Sequence, residues 1–147
     1  MVSDIPVLGV RNDSQPRKTR ACAYVVVANS SGLIAAVREN SGKLLLPGGG
    51  IEPSETAAEA IHREVREELG CTVRLGRCLG HALQFLENEG HSQATYAAFY
   101  EGQFGEACQP VPEFELEWVQ PTALSYAHQM WVAKNLLNTR AAVGSHQ

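Results

Sequence analysis

From Leu46 to Cys71 the chain reads LPGGGIEPSETAAEAIHREVREELGC, and the rest of the sequence is best read outward from this passage. Pro47 ends an apolar run, and the glycines that follow, Gly48, Gly49 and Gly50, permit positive φ and close backbone approach. After Pro53, Ser54 is a residue type that caps helices. Ala57, Ile61, Val65 and Leu69 then recur every four residues until Gly70 supplies a stop. The pattern predicts a helix over 55–69 with Ser54 as its N-cap.

Residues three and four apart share a helix face, so Glu64, Glu67 and Glu68 converge while Ile61, Val65 and Leu69 point to the core. Carboxylates packed this densely repel, which implies a cation among them. An oxygen-only donor set favours Mg²⁺ or Mn²⁺ over zinc. The tight glycines can bring a backbone carbonyl, that of Gly48, beside the helix as a further ligand. Arg63 is read as structural, pairing with Glu67 four residues on or folding back toward Glu55.

Acidic residues on a helix are usually a solvated face, and the fragment from Arg63 to Glu68 alone does not exceed that. The full spacing does. Gly49 is followed by five residues, Glu55, seven residues, Arg63-Glu64, the aliphatic Val65, one residue, Glu67-Glu68, one residue, Gly70 and Cys71. This pattern resembles the Nudix box, the signature of hydrolases acting on nucleoside diphosphates linked to another moiety. Only Cys71 departs from it, where the family usually has an aliphatic residue, and a buried cysteine behaves as a small hydrophobe.

The resemblance implies a Nudix-type α/β/α sandwich, with a mixed β-sheet between the box helix and a C-terminal helix. It also implies that Glu64, Glu67 and Glu68 bind divalent ions that activate a water for attack at phosphorus, with Gly49, Glu55, Arg63 and Gly70 supporting the site. The general base is expected among the box glutamates, Glu64 or Glu67, or on a separate element, for which Glu115 is the candidate. Specificity lies outside the box. ADP-ribose hydrolases often carry a proline, and dinucleoside polyphosphate hydrolases a tyrosine, downstream of it; here that region reads Phe85-Leu86-Glu87-Asn88-Glu89. The lack of both tilts the expectation toward a mutator-type nucleoside triphosphate pyrophosphohydrolase. The alternatives are ADP-ribose, nucleotide-sugar, dinucleoside polyphosphate or non-nucleotide diphosphate hydrolysis, or a catalytically silent nucleotide-binding regulator. Tyr24, Phe85, Tyr96 and Phe99 are candidates to stack a base, and His81, Gln84 and His91 to hydrogen-bond one.

The remainder of the 147 residues fits one domain over 19–138, with an arm over 1–18 and a tail over 139–147. The β-branched run from Thr19 to Ala28, a turn over Asn29–Gly32 and a second run over Leu33–Arg38 predict a hairpin. Residues 72–86 and 95–104 read as a second antiparallel pair, and 114–119 alternates apolar with acidic residues as a half-buried strand. A last helix is expected from Tyr126 to Leu137, burying Trp131, Val132 and Leu136. The net charge of −4 argues against a nucleic-acid polymer or an anionic membrane as partner, leaving a small anionic substrate assisted by metal. Four cysteines without metal spacing or a leader suggest reduced thiols and a cytoplasmic setting. A homodimer using the N-terminal arm and Trp131 is a further expectation.

Overall fold

The structure of the chain, a computed structural model, describes residues 6–13, 17–88, 91–105 and 109–144. The strands are β1 (Val7–Leu8), β2 (Arg17–Val26), β3 (Ile34–Glu39), β4 (Leu44–Leu45), β5 (Gly48–Gly50), β6 (Val73–Asn88), β7 (His91–Phe104) and β8 (Phe114–Val119). The helices are α1 (Ala57–Leu69) and α2 (Ala127–Gly144), with a short 3₁₀ turn over Pro121–Ala123 before α2.

Two sheets form. The larger has the order β1-β6-β7-β2-β5, and the smaller β4-β3-β8. β2 runs parallel to β7 and antiparallel to β5, while β6 and β7 pair as a long antiparallel ladder from Val73↔Phe104 to Asn88↔His91. The larger sheet is therefore mixed, as expected.

The near-continuous apolar run of β2 follows from burial on both faces. Cys22, Tyr24 and Val26 pack with Phe99, Leu46 and Val132 of α2. Ala23, Val25 and Val27 pack with Ile61, Val65 and Leu69 of α1. The helices thus cover opposite faces.

The predicted hairpin of β2 and β3 does not form as a ladder. Asn29 Oδ1 accepts from the N–H groups of Ser31 (2.9 Å) and Leu33 (3.0 Å), closing the turn. One bridge, Ala28↔Ile34, follows, and the strands then part into different sheets. The physical reason lies in β2, both of whose edges are taken, one by β7 and one by β5. No edge remains for β3, which pairs with β4 and β8 instead.

Other boundaries also shift. The N-cap of α1 is Thr56, not Ser54: Thr56 Oγ1 accepts from Glu59 N–H (3.1 Å) and Glu59 Oε1 accepts from Thr56 N–H (2.8 Å), a complete capping box. Ser54 instead sits in the left-handed region at φ 68°, inside the turn that precedes the helix. The glycines expected as a loop form β5 against Cys22–Tyr24. Residues 7–8 of the arm are a strand, paired parallel to β6. α2 runs on to Gly144, with Val132 and Ala133 buried and Trp131 packed at the edge of the core, whereas the Leu136 side chain lies outside the described residues.

Candidate active site

α1 lies against β5, and the contacts between them form the site. The guanidinium of Arg63 grips Glu55 with two bonds, Nε to Oε2 (2.7 Å) and Nη2 to Oε1 (2.9 Å). Nη2 also donates to Gly50 O (3.0 Å), and Nη1 to Glu64 Oε1 (2.7 Å). Glu67, the partner expected from helical spacing, is reached only at 3.5 Å. One planar fork therefore ties the turn before the helix, the glycine strand and the first box carboxylate into one frame. Its hydrogen bonds hold the Glu55 carboxyl down to a pKa of about 2.

Glu64 and Glu68 lie inward. Glu68 Oε1 accepts from Gly48 N–H at 3.1 Å, and the two carboxyls are close enough to act on each other electrostatically. Burial drives both pKa values up, for Glu68 to about 9. In the absence of a cation both carboxyls are pushed toward the protonated form, by partial burial first and by the charge of neighbouring carboxylates. Gly49 is glycine for a steric reason, since a Cβ there would collide with Glu64 Oε2. Glu67 faces outward with its side chain 58% exposed.

This donor set suits a hard divalent cation. Two half-buried carboxyls whose ionisation burial disfavours, and a third within the same turn, supply only oxygen ligands. Among the described residues, no three such side chains already stand together as a metal cage. Ligation would draw both Glu64 and Glu68 to the ionised form, against the upward push of burial.

The other sequence-derived candidates are dispersed. Tyr24 and Phe99 are core residues, stacked on each other at 5.7 Å, and are not available to a base. Gln84 is buried and locks α2 to β6, its Oε1 accepting from His128 N–H at 3.0 Å. Phe85 is half-buried on β6, and the His91 side chain lies outside the described residues. His81 and Tyr96 are exposed and stack on each other at 5.6 Å, but β2 separates their strands from the glycine strand. Glu115 pairs in register with Arg38, on the face of the small sheet turned away from Phe114, Leu116 and α1. It lines a cleft of about 690 Å³ with Arg38, Glu39, Pro110, Val111 and Phe114. None of the box residues lines a second hollow of about 290 Å³, beside Arg74, Leu75 and Glu101.

Sequence reasoning missed Glu39. It follows the α1-facing residue Val37 by two on β3, and its charge adds to the upward pressure on the Glu68 pKa. The alternation of β3 carried that information, but only once β3 was placed beside α1.

Comparison with known proteins agrees with this geometry. The sequence profile of the NUDIX domain matches residues 18–138. An RNA pyrophosphohydrolase of Erythrobacter litoralis is 31% identical over 135 residues, covering 76% of this chain and 82% of that protein. Diphosphoinositol polyphosphate phosphohydrolase 2 of Rattus norvegicus is 44% identical over 52 residues, a match covering 35% of this chain and 27% of that protein. The solved MutT protein from Methanosarcina mazei Go1 superposes with a TM-score of 0.67 at 23% identity, covering 88% of this chain and 99% of that one. A C. elegans Ap4A hydrolase superposes at 0.64 with 18% identity, covering 84% of this chain and 98% of that one, a likeness of fold alone. On the span of the domain match and the spacing that begins at Gly49, the chain belongs to the NUDIX family.

Proposed function

We propose that this protein hydrolyses the pyrophosphate bond of nucleoside di- or triphosphate derivatives, with nucleoside triphosphates as the favoured class, using Mg²⁺ or Mn²⁺. The observation that carries the reading is the inward pair Glu64 and Glu68, held against the glycine strand by the Gly48 N–H and framed by Arg63. A structural surface helix has no reason to turn two neighbouring carboxyls inward to half-buried positions.

In this reading Glu64, Glu67 and Glu68 hold the cation, with the Gly48 carbonyl as a further oxygen donor. A divalent cation there supplies neutralisation of phosphoryl charge and a lowered pKa for water. Arg63 fixes the carboxylates before substrate arrives, so little reorganisation is left for the reaction. Glu67 would take the proton of the attacking water, a role supported by its exposure and by its loose engagement with Arg63 through Oε2. Glu115, the other candidate acceptor, lies on the face of the small sheet turned away from α1 in a cleft that no box residue lines, so this reading gives the proton to Glu67.

A second reading is favoured by the Erythrobacter relative, matched over most of its length: the same bond at the 5′ end of RNA. A panel of nucleoside triphosphates, oxidised nucleotides, ADP-ribose, nucleotide sugars, dinucleoside polyphosphates, diphosphoinositols and 5′-triphosphorylated RNA, each with Mg²⁺ or Mn²⁺, separates the two. Turnover of free triphosphates that is lost in Glu64→Gln and Glu68→Gln supports the proposal. Turnover of RNA ends alone replaces it with the second reading. Unchanged activity in both variants sinks the assignment of the site.

A further inference from the structure

Leu46 and Pro47 carry the chain from β4, in the smaller sheet, to β5, in the larger. Their backbone groups lie between two ladders, and three different elements claim them. Leu46 N–H donates to Gln129 Oε1 of α2 at 2.8 Å. Pro47 O accepts from Val25 N–H of β2 at 3.0 Å. The N–H of the same peptide unit, that of Gly48, donates to Glu68 Oε1 of α1 at 3.1 Å. The peptide that meets the box carboxylate is thus tethered on both faces of the larger sheet.

Gly48 cannot hold that peptide in place unaided. Its φ is 139°, and a Cβ there would collide with Ala23 O and lie 2.7 Å from Tyr24 Cα, so the position requires glycine. Glycine has the least restricted backbone of any residue, and the restraint has to come from its neighbours. Gln129 is the side chain that supplies it from α2. It is fully buried, and its Nε2 has no partner among the described residues. A buried donor left unmet is destabilising, and an apolar side chain of the same length would fill the position without that cost. Such a local conflict is expected where a site depends on the group that causes it, here the amide oxygen that Leu46 N–H requires.

We infer that Gln129 is a positioning residue for the box: from the opposite face of the sheet it fixes Leu46, and through Leu46 and Pro47 the Gly48 peptide against which Glu68 is held. The inference rests on the proposed hydrolase reading for its consequence, cation affinity, but the anchoring itself can be measured in the cation-free protein.

The experiment compares Gln129→Met, which removes the acceptor at nearly constant length, and Gln129→Glu, which keeps an acceptor oxygen, with Ser125→Ala. Ser125 Oγ accepts from Leu44 N–H at 2.9 Å, a second tether from the α2 end of the chain to the same strand, and so controls for general loosening of β4. Amide hydrogen exchange is followed by NMR without metal, and Mg²⁺ binding by calorimetry without substrate. In Gln129→Met, protection of the Gly48 amide should fall about tenfold or more while the β6–β7 ladder keeps its protection, and Mg²⁺ binding should weaken about tenfold, as for loss of a group that orients a metal ligand. Gln129→Glu should stay close to the natural protein in both. Ser125→Ala should leave the Gly48 amide and Mg²⁺ binding unchanged. Unaltered Gly48 protection in Gln129→Met, or an equal loss in Ser125→Ala, overturns the inference. Should Gln129→Met not fold, Gln129→Asn, which withdraws the amide by one methylene, is read against the same two outcomes. If the natural protein binds no Mg²⁺, the hydrolase reading fails while exchange at Gly48 still decides the role of Gln129.

Discussion

Replacing Glu68 by Gln should stabilise the cation-free protein while abolishing its response to Mg²⁺. In the fold, burial and the neighbouring Glu64 and Glu39 raise the Glu68 pKa from its ordinary 4.5 to about 9. A carboxyl raised in this way contributes fully to stability below pH 4.5, and that contribution is lost as pH rises toward 9, because the unfolded chain releases the proton and the folded chain does not. Between pH 4.5 and 7 the loss is at most about 3.5 kcal/mol, at ~1.4 kcal/mol per pH unit. Because Glu64 and Glu68 titrate against each other, roughly half, about 1–2 kcal/mol, is assigned to Glu68. Gln keeps an oxygen to accept from Gly48 N–H and adds a donor toward Glu64. For a domain of this size the expected gain is a Tm rise of about 2–8 °C in EDTA at pH 7. The gain should shrink toward zero near pH 5 and grow toward pH 8. With saturating Mg²⁺ the natural protein should gain about 2–3 kcal/mol by linkage and the variant much less, reversing their order. The assay is differential scanning calorimetry at pH 5, 7 and 8, with and without Mg²⁺. A variant that melts below the natural protein in EDTA at pH 8, or whose advantage does not change with pH, would refute the reasoning.

Four further variants test local features of the fold. Arg63→Lys keeps the charge but loses the planar fork that joins Glu55, Glu64 and Gly50 O, so steady-state kinetics should show about a 10- to 100-fold loss of kcat/KM in a folded protein. Thr56→Ala should cost about 1 kcal/mol in urea unfolding as the capping box is lost, whereas Ser54→Gly should gain about 0.5–1 kcal/mol by relieving a positive φ. His128 is 2% exposed, neither ring nitrogen has a partner among the described residues, and burial lowers its pKa to about 4. With the folded pKa below the ordinary 6.5, stability is intact above pH 6.5 and falls as pH drops toward 4. His128→Phe, which keeps the ring packing against Tyr24 and Phe99, should therefore flatten the pH dependence of Tm across that window, and an unchanged acid slope would show that other groups carry it.

The box helix was legible because its signals are local. Ala57, Ile61, Val65 and Leu69 fix the buried stripe, Gly70 adopts the left-handed conformation that ends the helix, and the carboxylate spacing needs only the helical period. The N-cap was misplaced for a local reason too: Ser54 and Thr56 are both capping types, and only the reciprocal bond with Glu59 distinguishes them. The hairpin failed because strand pairing is decided by competition for edges, and β7, the strand that takes the edge of β2, lies some seventy residues away along the chain.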